Sequence, residues 1–359
     1  MKEVYLAGLD IGGTKLSAVI ANSAGETLAR LQAPAELETG NFTRFDDGSA
    51  YDGLARKSVA LLRNAMQEAG ITEILAIGIG AAGPLAKGSI LNPTNILLPE
   101  IPDGLPQRPL YLPLVEPLQQ EFAVPVNLEN DCNTAVLGEV EFGVGKGIVD
   151  KSSLHIVYVT ISTGFGAGVW SDGRLLRGKD GNAAEIGHIL VREGGLLCGC
   201  GNRGCVEAYC SGRGIVRNAQ AKLAYDGFPE TSLLLKLAAN KTKSGEVNRF
   251  ALLTNITPPL VFRAAKEGDA IAQAVINDAI FAGGVALATI SNAYDPETIV
   301  LGGSIAINHP ELCAPMEAEM KKHLNVVPPV VQLSPLKDRA VEYGAIVLAR
   351  QAWDQVATS

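Results

Sequence analysis

Apolar runs at Val4 to Asp10 and Lys15 to Ala21 flank the turn Gly12-Gly13-Thr14 and predict a β-hairpin. Residues 22–25 make a second turn before a strand over Glu26 to Leu31, and the polar stretch 33–50 reads as a loop or insertion. Leu54, Ser58, Leu61, Leu62, Ala65 and Ala69 recur with the helical period, so Tyr51 to Ala69 is predicted as a helix ended by Gly70. Ile74 to Ile79 is a buried strand that runs into Gly80-Ala81-Ala82-Gly83-Pro84, and 88–113, rich in Pro and Asn, reads as irregular. A short helix over Leu114 to Phe122, a strand over Val124 to Leu128 and a helix from Cys132 to Phe142 follow, with Glu129-Asn130-Asp131 at the last junction.

The second half opens with a strand over Ser153 to Val159. Ile161 to Val169 then repeats the pattern of the first hairpin: apolar strand, Thr/Gly turn, apolar strand. This reads as an internal repeat with one phosphate-sized turn in each half, against the alternative of two unrelated glycine hairpins. The clearest later helix covers Asp269 to Ala293 and is stopped by Asp295-Pro296; a strand over Thr298 to Leu301 ends at Gly302-Gly303, and a last helix covers Glu342 to Gln355. Alternating strands and helices give an α/β class, and the hairpins imply mixed rather than purely parallel sheets.

Composition narrows the functional classes. The 359 residues suit two domains, and 47% apolar with 19% charged residues describes a packed chain. The net charge is −8 and no Lys/Arg run reaches five, so no nucleic-acid partner is expected. The longest nearly uncharged apolar stretch, Ala279 to Ile290, falls short of the roughly 20 residues that span a bilayer, so no membrane partner is expected. The N-terminus carries no apolar signal region, and the expected location is cytoplasmic. Three of the six cysteines, Cys198, Cys200 and Cys205, are clustered, which points to a metal rather than a disulfide framework.

Four motifs carry candidate chemistry. In Asp10-Ile11-Gly12-Gly13-Thr14-Lys15 the glycines permit a tight turn with N–H groups close to a phosphate, Thr14 can donate to an oxyanion, and Asp10 can hold Mg2+ through water. An ordinary hairpin is the alternative. Asp131 opens a helix, where the dipole favours its ionised form, and can take a proton from a hydroxyl that attacks phosphorus, while Asn130 can hold neighbouring hydroxyls. A simple helix cap is the alternative there. His188 with Cys198, Cys200 and Cys205 makes a closed tetrahedral zinc set, structural rather than catalytic; buried free cysteines are the alternative. Glu185 and Glu207 flank this set and, with Asn130, Asp131 and the second nitrogen of His188, form a ring suited to a polyol, unless either Glu is only a surface carboxylate. Gly302-Gly303 after a buried strand lets a flat ligand such as adenine lie on the backbone.

Taken in order, Asp10 to Lys15, Glu129-Asn130-Asp131, Ser162-Thr163-Gly164, Glu185-Ile186-Gly187-His188, the run Cys198 to Glu207, and Gly302-Gly303 resemble the ROK family (repressor, open reading frame, kinase) over nearly the whole chain. The resemblance implies two ribonuclease-H-like domains of the actin/hexokinase superfamily with an interdomain cleft. The expected division is 1–128 plus 339–359 as a small N-terminal α/β domain and 129–338 as a large α/β domain with the zinc site. It implies a kinase that phosphorylates the 6-hydroxyl of a hexose, most simply glucose, with an N-acetylhexosamine or fructose as alternatives. Asp131 becomes the general base, and Gly83, Asn130, Asp131, Glu185, His188 and Glu207 hold the sugar. Asp10, Gly12, Gly13, Thr14, Lys15, Thr163, Gly164, Gly302 and Gly303 hold MgATP. Asn92-Pro93-Thr94-Asn95 departs from the family by being one residue longer than its Pro-Asn-Leu sugar loop, which leaves Asn95 as a candidate contact only. Pro84 stands where the N-acylmannosamine kinases carry an arginine. A homo-oligomer, dimer or tetramer, is implied. The family also contains repressors, but only nine residues precede Asp10, so no helix-turn-helix is expected; a non-catalytic sugar sensor is the remaining alternative.

Overall fold

Period-two alternation in the first strand, Tyr5–Ile11, decides how the surrounding layers pack. Ala7, Leu9 and Ile11 join a core with Leu54, Leu61, Leu62 and Ala65 of the helix Gly53–Glu68 and Leu118 of the helix Val115–Phe122. Leu6, on the opposite face, packs with Ile346, Ala349 and Ala352 of the last helix, Ala340–Ala357. The computed structural model describes residues 4–37, 40–93, 96–239 and 249–357; Asn95 lies outside the described residues.

The first sheet has the order Val126–Asn130, Ile77–Ala81, Tyr5–Ile11, Lys15–Asn22, Thr27–Pro34. Tyr5–Ile11 is parallel to Ile77–Ala81 and antiparallel to Lys15–Asn22, so the sheet is mixed as the hairpins require. A second five-stranded sheet has the order Arg174–Leu175, Phe165–Ser171, Ile156–Ile161, Thr298–Gly302, Val330–Leu333.

A third sheet corrects the reading of 33–50 and 88–113. It has the order Phe42–Phe45, Gly48–Tyr51, Leu110–Pro113, Ser89–Leu91, Leu85–Ala86. Phe42 pairs with Tyr51 across the first hairpin, their ring centroids 4.5 Å apart, and Tyr51, Ile90 and Leu112 are buried. Strands of only two to four residues, separated by Pro, Asn and Gly, carry this sheet, which is why the stretches look like loops. Tyr51 belongs to a strand, and the helix starts at Gly53.

Contacts divide the chain into two units, 1–158 with 168–183 and 334–359, and 159–167 with 184–333. The helix Asp131–Glu141 packs on the last helix within the first unit. Backbones touch there: a Cβ on Gly344 would overlap the Thr134 carbonyl, and one on Gly78 the Ala345 carbonyl. Ser334 donates to the buried Glu139 carboxylate of the same helix.

In the second unit the helix Ala270–Tyr294 packs against Gly212–Tyr225, Pro258–Lys266 and Cys313–Met320. It corrects the expectation that no stretch is long enough to span a bilayer. Its 25 residues pass by length and composition, because the apolar pattern continues from Ala279 back to Ala270. Its apolarity has a use inside the unit, where Val275, Ala279, Ala282, Ala286, Leu287 and Ile290 are buried.

The nested backbones predict that Gly344→Ala lowers stability by about 3 kcal/mol, as overpacking without room to relax does. Denaturant unfolding checks this, and a wild-type midpoint contradicts it.

Candidate functional site

The parallel register of the first unit brings three strand ends to one edge. Asp10 pairs with Gly80, and Asn130 with Ala81, so Asp10, the Gly80–Gly83 turn and Asn130 meet at the carboxyl ends of adjacent strands, where open α/β sheets bind ligands. A Cβ on Gly83 would lie 3.5 Å from Asn130 Nδ2. Gly12 N–H donates to the Lys15 carbonyl at 3.0 Å, closing the hairpin, while the N–H groups of Gly13 and Thr14 have no partner among the described residues.

Asn130 takes the capping role that was the alternative at this junction. Its Oδ1 accepts from the N–H groups of Cys132 at 2.9 Å and Asn133 at 3.3 Å. Asp131 is then the first helical residue, with Oδ1 accepting from Cys132 N–H at 2.8 Å. The expectation that the helix dipole favours the ionised carboxyl is outweighed: burial raises the pKa of Asp131 despite the Cys132 N–H and the Asn130 amide, which act the other way.

Asp10 follows Leu6 and Gly8 on the face beneath the last helix, which carries the buried Glu342. Burial raises its pKa to about 7, assisted by the charges of Asp131 and Glu342 and opposed by Lys15 and Arg30. Glu342 is itself satisfied, accepting from Ser17 Oγ at 2.5 Å and from Arg30 Nε at 2.8 and 2.9 Å.

The sequence reading missed Glu342, Arg30 and Arg177. Arg177 Nε donates to Glu129 Oε2 at 2.7 Å, and Glu129 Oε1 accepts from Asn130 N–H and Asn133 Nδ2, each at 3.0 Å. One signal was present: Glu342 is an acid on a helix face otherwise built of Ala345, Ala349 and Ala352. Arg30 and Arg177 carry no such signal.

In the second unit the Ser162-Thr163-Gly164 turn is closed by Ser162 N–H to the Gly164 carbonyl at 2.9 Å. The N–H groups of Thr163 and Gly164 have no partner among the described residues. Ser162 Oγ stands 3.1 Å from Ser304 Oγ, which brings the Gly302-Gly303 turn alongside. Gly303 has φ +83°, and a Cβ there would lie 2.6 Å from the Ile161 carbonyl and Thr160 Oγ1.

His188, Cys198, Cys200 and Cys205 converge, their ligand atoms all within 4.8 Å of one another. Cys198 Sγ is 3.7 Å from His188 Nδ1, and Cys200 Sγ is 3.8 Å from Cys205 Sγ. A tetrahedron with Zn–S bonds of about 2.3 Å has edges of about 3.8 Å, so the donor set fits zinc. With Nδ1 in the cluster, His188 Nε2 lies 4.0 Å from Glu185 Oε2. Glu207 Oε2 accepts from Phe165 N–H at 3.1 Å.

The first unit thus gathers Asp10, Gly83, Asn130 and Asp131 near the Gly12–Lys15 turn. The second gathers Thr163 and Gly164 with Gly302 and Gly303, and Glu185 with His188 and Glu207 beside the cysteines.

Residues 6–352 match the ROK family. A glucokinase of Halalkalibacterium halodurans is 30% identical over 326 residues, 90% of this chain and 87% of that protein. The fold matches a ROK family glucokinase from Streptomyces griseus in complex with glucose and AMPPNP, with a TM-score of 0.72, 28% identity and coverage of 97% of this chain and 99% of that one. It also matches a ROK hexokinase from Thermus thermophilus, with a TM-score of 0.74, 29% identity and coverage of 99% and 100%.

A carboxyl raised from 3.8 to about 7 binds its proton more tightly in the folded than in the unfolded chain. Its ionisation therefore costs stability progressively as pH rises through that window. Asp10→Asn is expected to stabilise the ligand-free protein at pH 8 by on the order of 2 kcal/mol and to lose that advantage near pH 4. Urea midpoints at both values check this; an equal effect at both contradicts it.

Proposed function

The chain belongs to the ROK family, and on that premise we propose that it transfers the γ-phosphoryl group of ATP to the 6-hydroxyl of glucose. It is an ATP-dependent hexose kinase of the two-domain actin/hexokinase-like fold. The observation that carries the assignment of roles is the desolvated Asp131 carboxyl at the first turn of its helix, beside the capping Asn130.

Asp131 accepts the proton of the sugar 6-hydroxyl while that oxygen bonds to the γ-phosphorus and the bond to the ADP oxygen breaks. Its raised pKa makes it a better base than a solvated aspartate. The transferring group passes through a loose transition state, so positioning and charge stabilisation carry most of the rate. The amides of Gly13 and Thr14, and of Thr163 and Gly164, which have no partner among the described residues, are suited to phosphate oxygens, with Asp10, Gly12, Lys15, Gly302 and Gly303 completing the nucleotide set. Asn130, Gly83, Glu185, His188 and Glu207 hold the sugar hydroxyls.

Mg2+, when bound, neutralises phosphate charge, and the carboxyl of Asp10, held near Asp131 in a desolvated corner, is the group that would hold it through water. Zinc on His188, Cys198, Cys200 and Cys205 would be structural: a closed set leaves no open position, and it fixes the tautomer that turns His188 Nε2 outward. A homo-oligomer in the cytoplasm completes the proposal.

Coupled ADP release tests the acceptor, with glucose, mannose, fructose, N-acetylglucosamine and N-acetylmannosamine in turn. Glucose is expected to give the highest kcat/KM, and a clear preference for another sugar overturns the choice. Asp131→Ala is expected to lower kcat by about 10³-fold or more, within the range of general-base loss, without lowering the unfolding midpoint. Near-normal turnover removes Asp131 from the base role. Elemental analysis is expected to give about one zinc per chain, and folded, active protein without zinc contradicts the metal assignment.

A further inference from the structure

Glu207 holds a sugar hydroxyl in the reading above, yet its carboxylate also has partners inside the second unit. Oε2 accepts from Phe165 N–H at 3.1 Å and would stand 2.7 Å from a Cβ on Gly164, so the Ser162-Thr163-Gly164 turn rests directly on this carboxylate. Oε1 lies 3.8 Å from Cys198 Sγ. The residue belongs to the one-turn helix Val206–Ala208, which begins immediately after Cys205.

A second, main-chain route runs the same way. The Glu207 carbonyl accepts from Ser211 Oγ at 2.7 Å, and the same Oγ accepts from Gly214 N–H at 3.0 Å as the cap of the helix Gly212–Tyr225. Gly212 N–H then donates to the Ser162 carbonyl at 2.7 Å. The segment that leaves the cysteine cluster therefore grips the turn at two places, at Phe165 through a side chain and at Ser162 through the start of a helix.

This grip determines which amides remain for a ligand. Of four successive N–H groups, Ser162 donates to Gly164 and Phe165 to Glu207, while Thr163 and Gly164 have no partner among the described residues. Two adjacent amides held open between two anchored ones make an anion-binding concavity, and its usefulness depends on the anchors. Without the Glu207 acceptor, Phe165 N–H is released and the turn can relax away from the open arrangement; binding then has to restore it.

We propose that Glu207 is a positioning residue that transmits the order of the zinc loop to the Ser162–Gly164 turn, so that nucleotide affinity depends on the metal even when no sugar is bound. The inference rests on the reading of that turn as part of the nucleotide site. A Glu207 that served the sugar alone has no bearing on nucleotide affinity in the absence of sugar, and this separates the two roles.

The test is calorimetric binding of AMPPNP with Mg2+, without sugar, to the full chain with its zinc content measured. Zinc-loaded wild type is expected to bind. Zinc-loaded Glu207→Ala is expected to bind about tenfold more weakly, which corresponds to about 1.4 kcal/mol. Glu207→Gln, whose carboxamide oxygen can still accept from Phe165 N–H, is expected to stay within about threefold of wild type, a rescue that a loss of folding does not produce. Chelator-stripped wild type, checked by circular dichroism, is expected to match Glu207→Ala. Wild-type affinity in zinc-loaded Glu207→Ala overturns the inference and leaves the kinase reading standing. Failure of zinc-loaded wild type to bind AMPPNP overturns both. Stripped wild type that stays folded and keeps full affinity overturns the dependence on the metal; if stripping unfolds the protein, the fold itself requires the metal and the zinc-loaded Ala and Gln variants decide the role of Glu207.

Discussion

The first unit depends on tolerating like charges in a desolvated corner. Asp10, Asp131 and Glu342 act on one another strongly enough that Asp10 is raised to about 7, with burial as the larger cause. The arrangement follows from geometry. Alternation along Tyr5–Ile11 puts Asp10 on the face of the last helix, and close backbone contacts at Gly78 and Gly344 let that helix settle with Glu342 inward. Ser17 and Arg30 satisfy Glu342, and an N–H donor satisfies one oxygen of Asp131. Burial makes the charged forms of these carboxyls costly, and a carboxylate held at that cost takes up a proton or the charge of a divalent cation more readily than a solvated one.

The second unit meets a different problem. The segment around Cys198 to Cys205 is rich in glycine and short of apolar side chains, so burial alone cannot order it. Converging donors supply a reason for order that a hydrophobic core does not. An ion pair from Arg192 to Asp278 at 3.2 Å, with Arg192 lying over the rings of Tyr209 and Phe281, braces the same loop from outside the cluster. A metal held there would order His188 through its ring and, on the proposal above, the Ser162–Gly164 turn through Glu207.

Much of this was legible in the sequence where local chemistry is strong. The opening hairpin, the Asn130-Asp131 junction, the cysteine cluster and the long apolar helix ending at Asp295 all rest on residue types whose local physics leaves few choices. The hairpin Phe42–Phe45 and Gly48–Tyr51 was hidden because its strands are four residues long and its ring contact joins Phe42 to Tyr51 across the turn. Glu342 and Arg30 were hidden because their importance comes from contacts across more than 300 positions of chain. The dipole argument at Asp131 pointed the wrong way because burial, a property of the folded packing, exceeded a local effect.

In the proposed mechanism the desolvated Asp131 favours phosphoryl transfer to a sugar hydroxyl over transfer to water. Phosphorus NMR of the wild-type protein with MgATP and glucose distinguishes the two acceptors. ADP and a sugar 6-phosphate are expected in equal amounts, with inorganic phosphate negligible. ADP formed together with inorganic phosphate, at a rate indifferent to glucose, contradicts that mechanism.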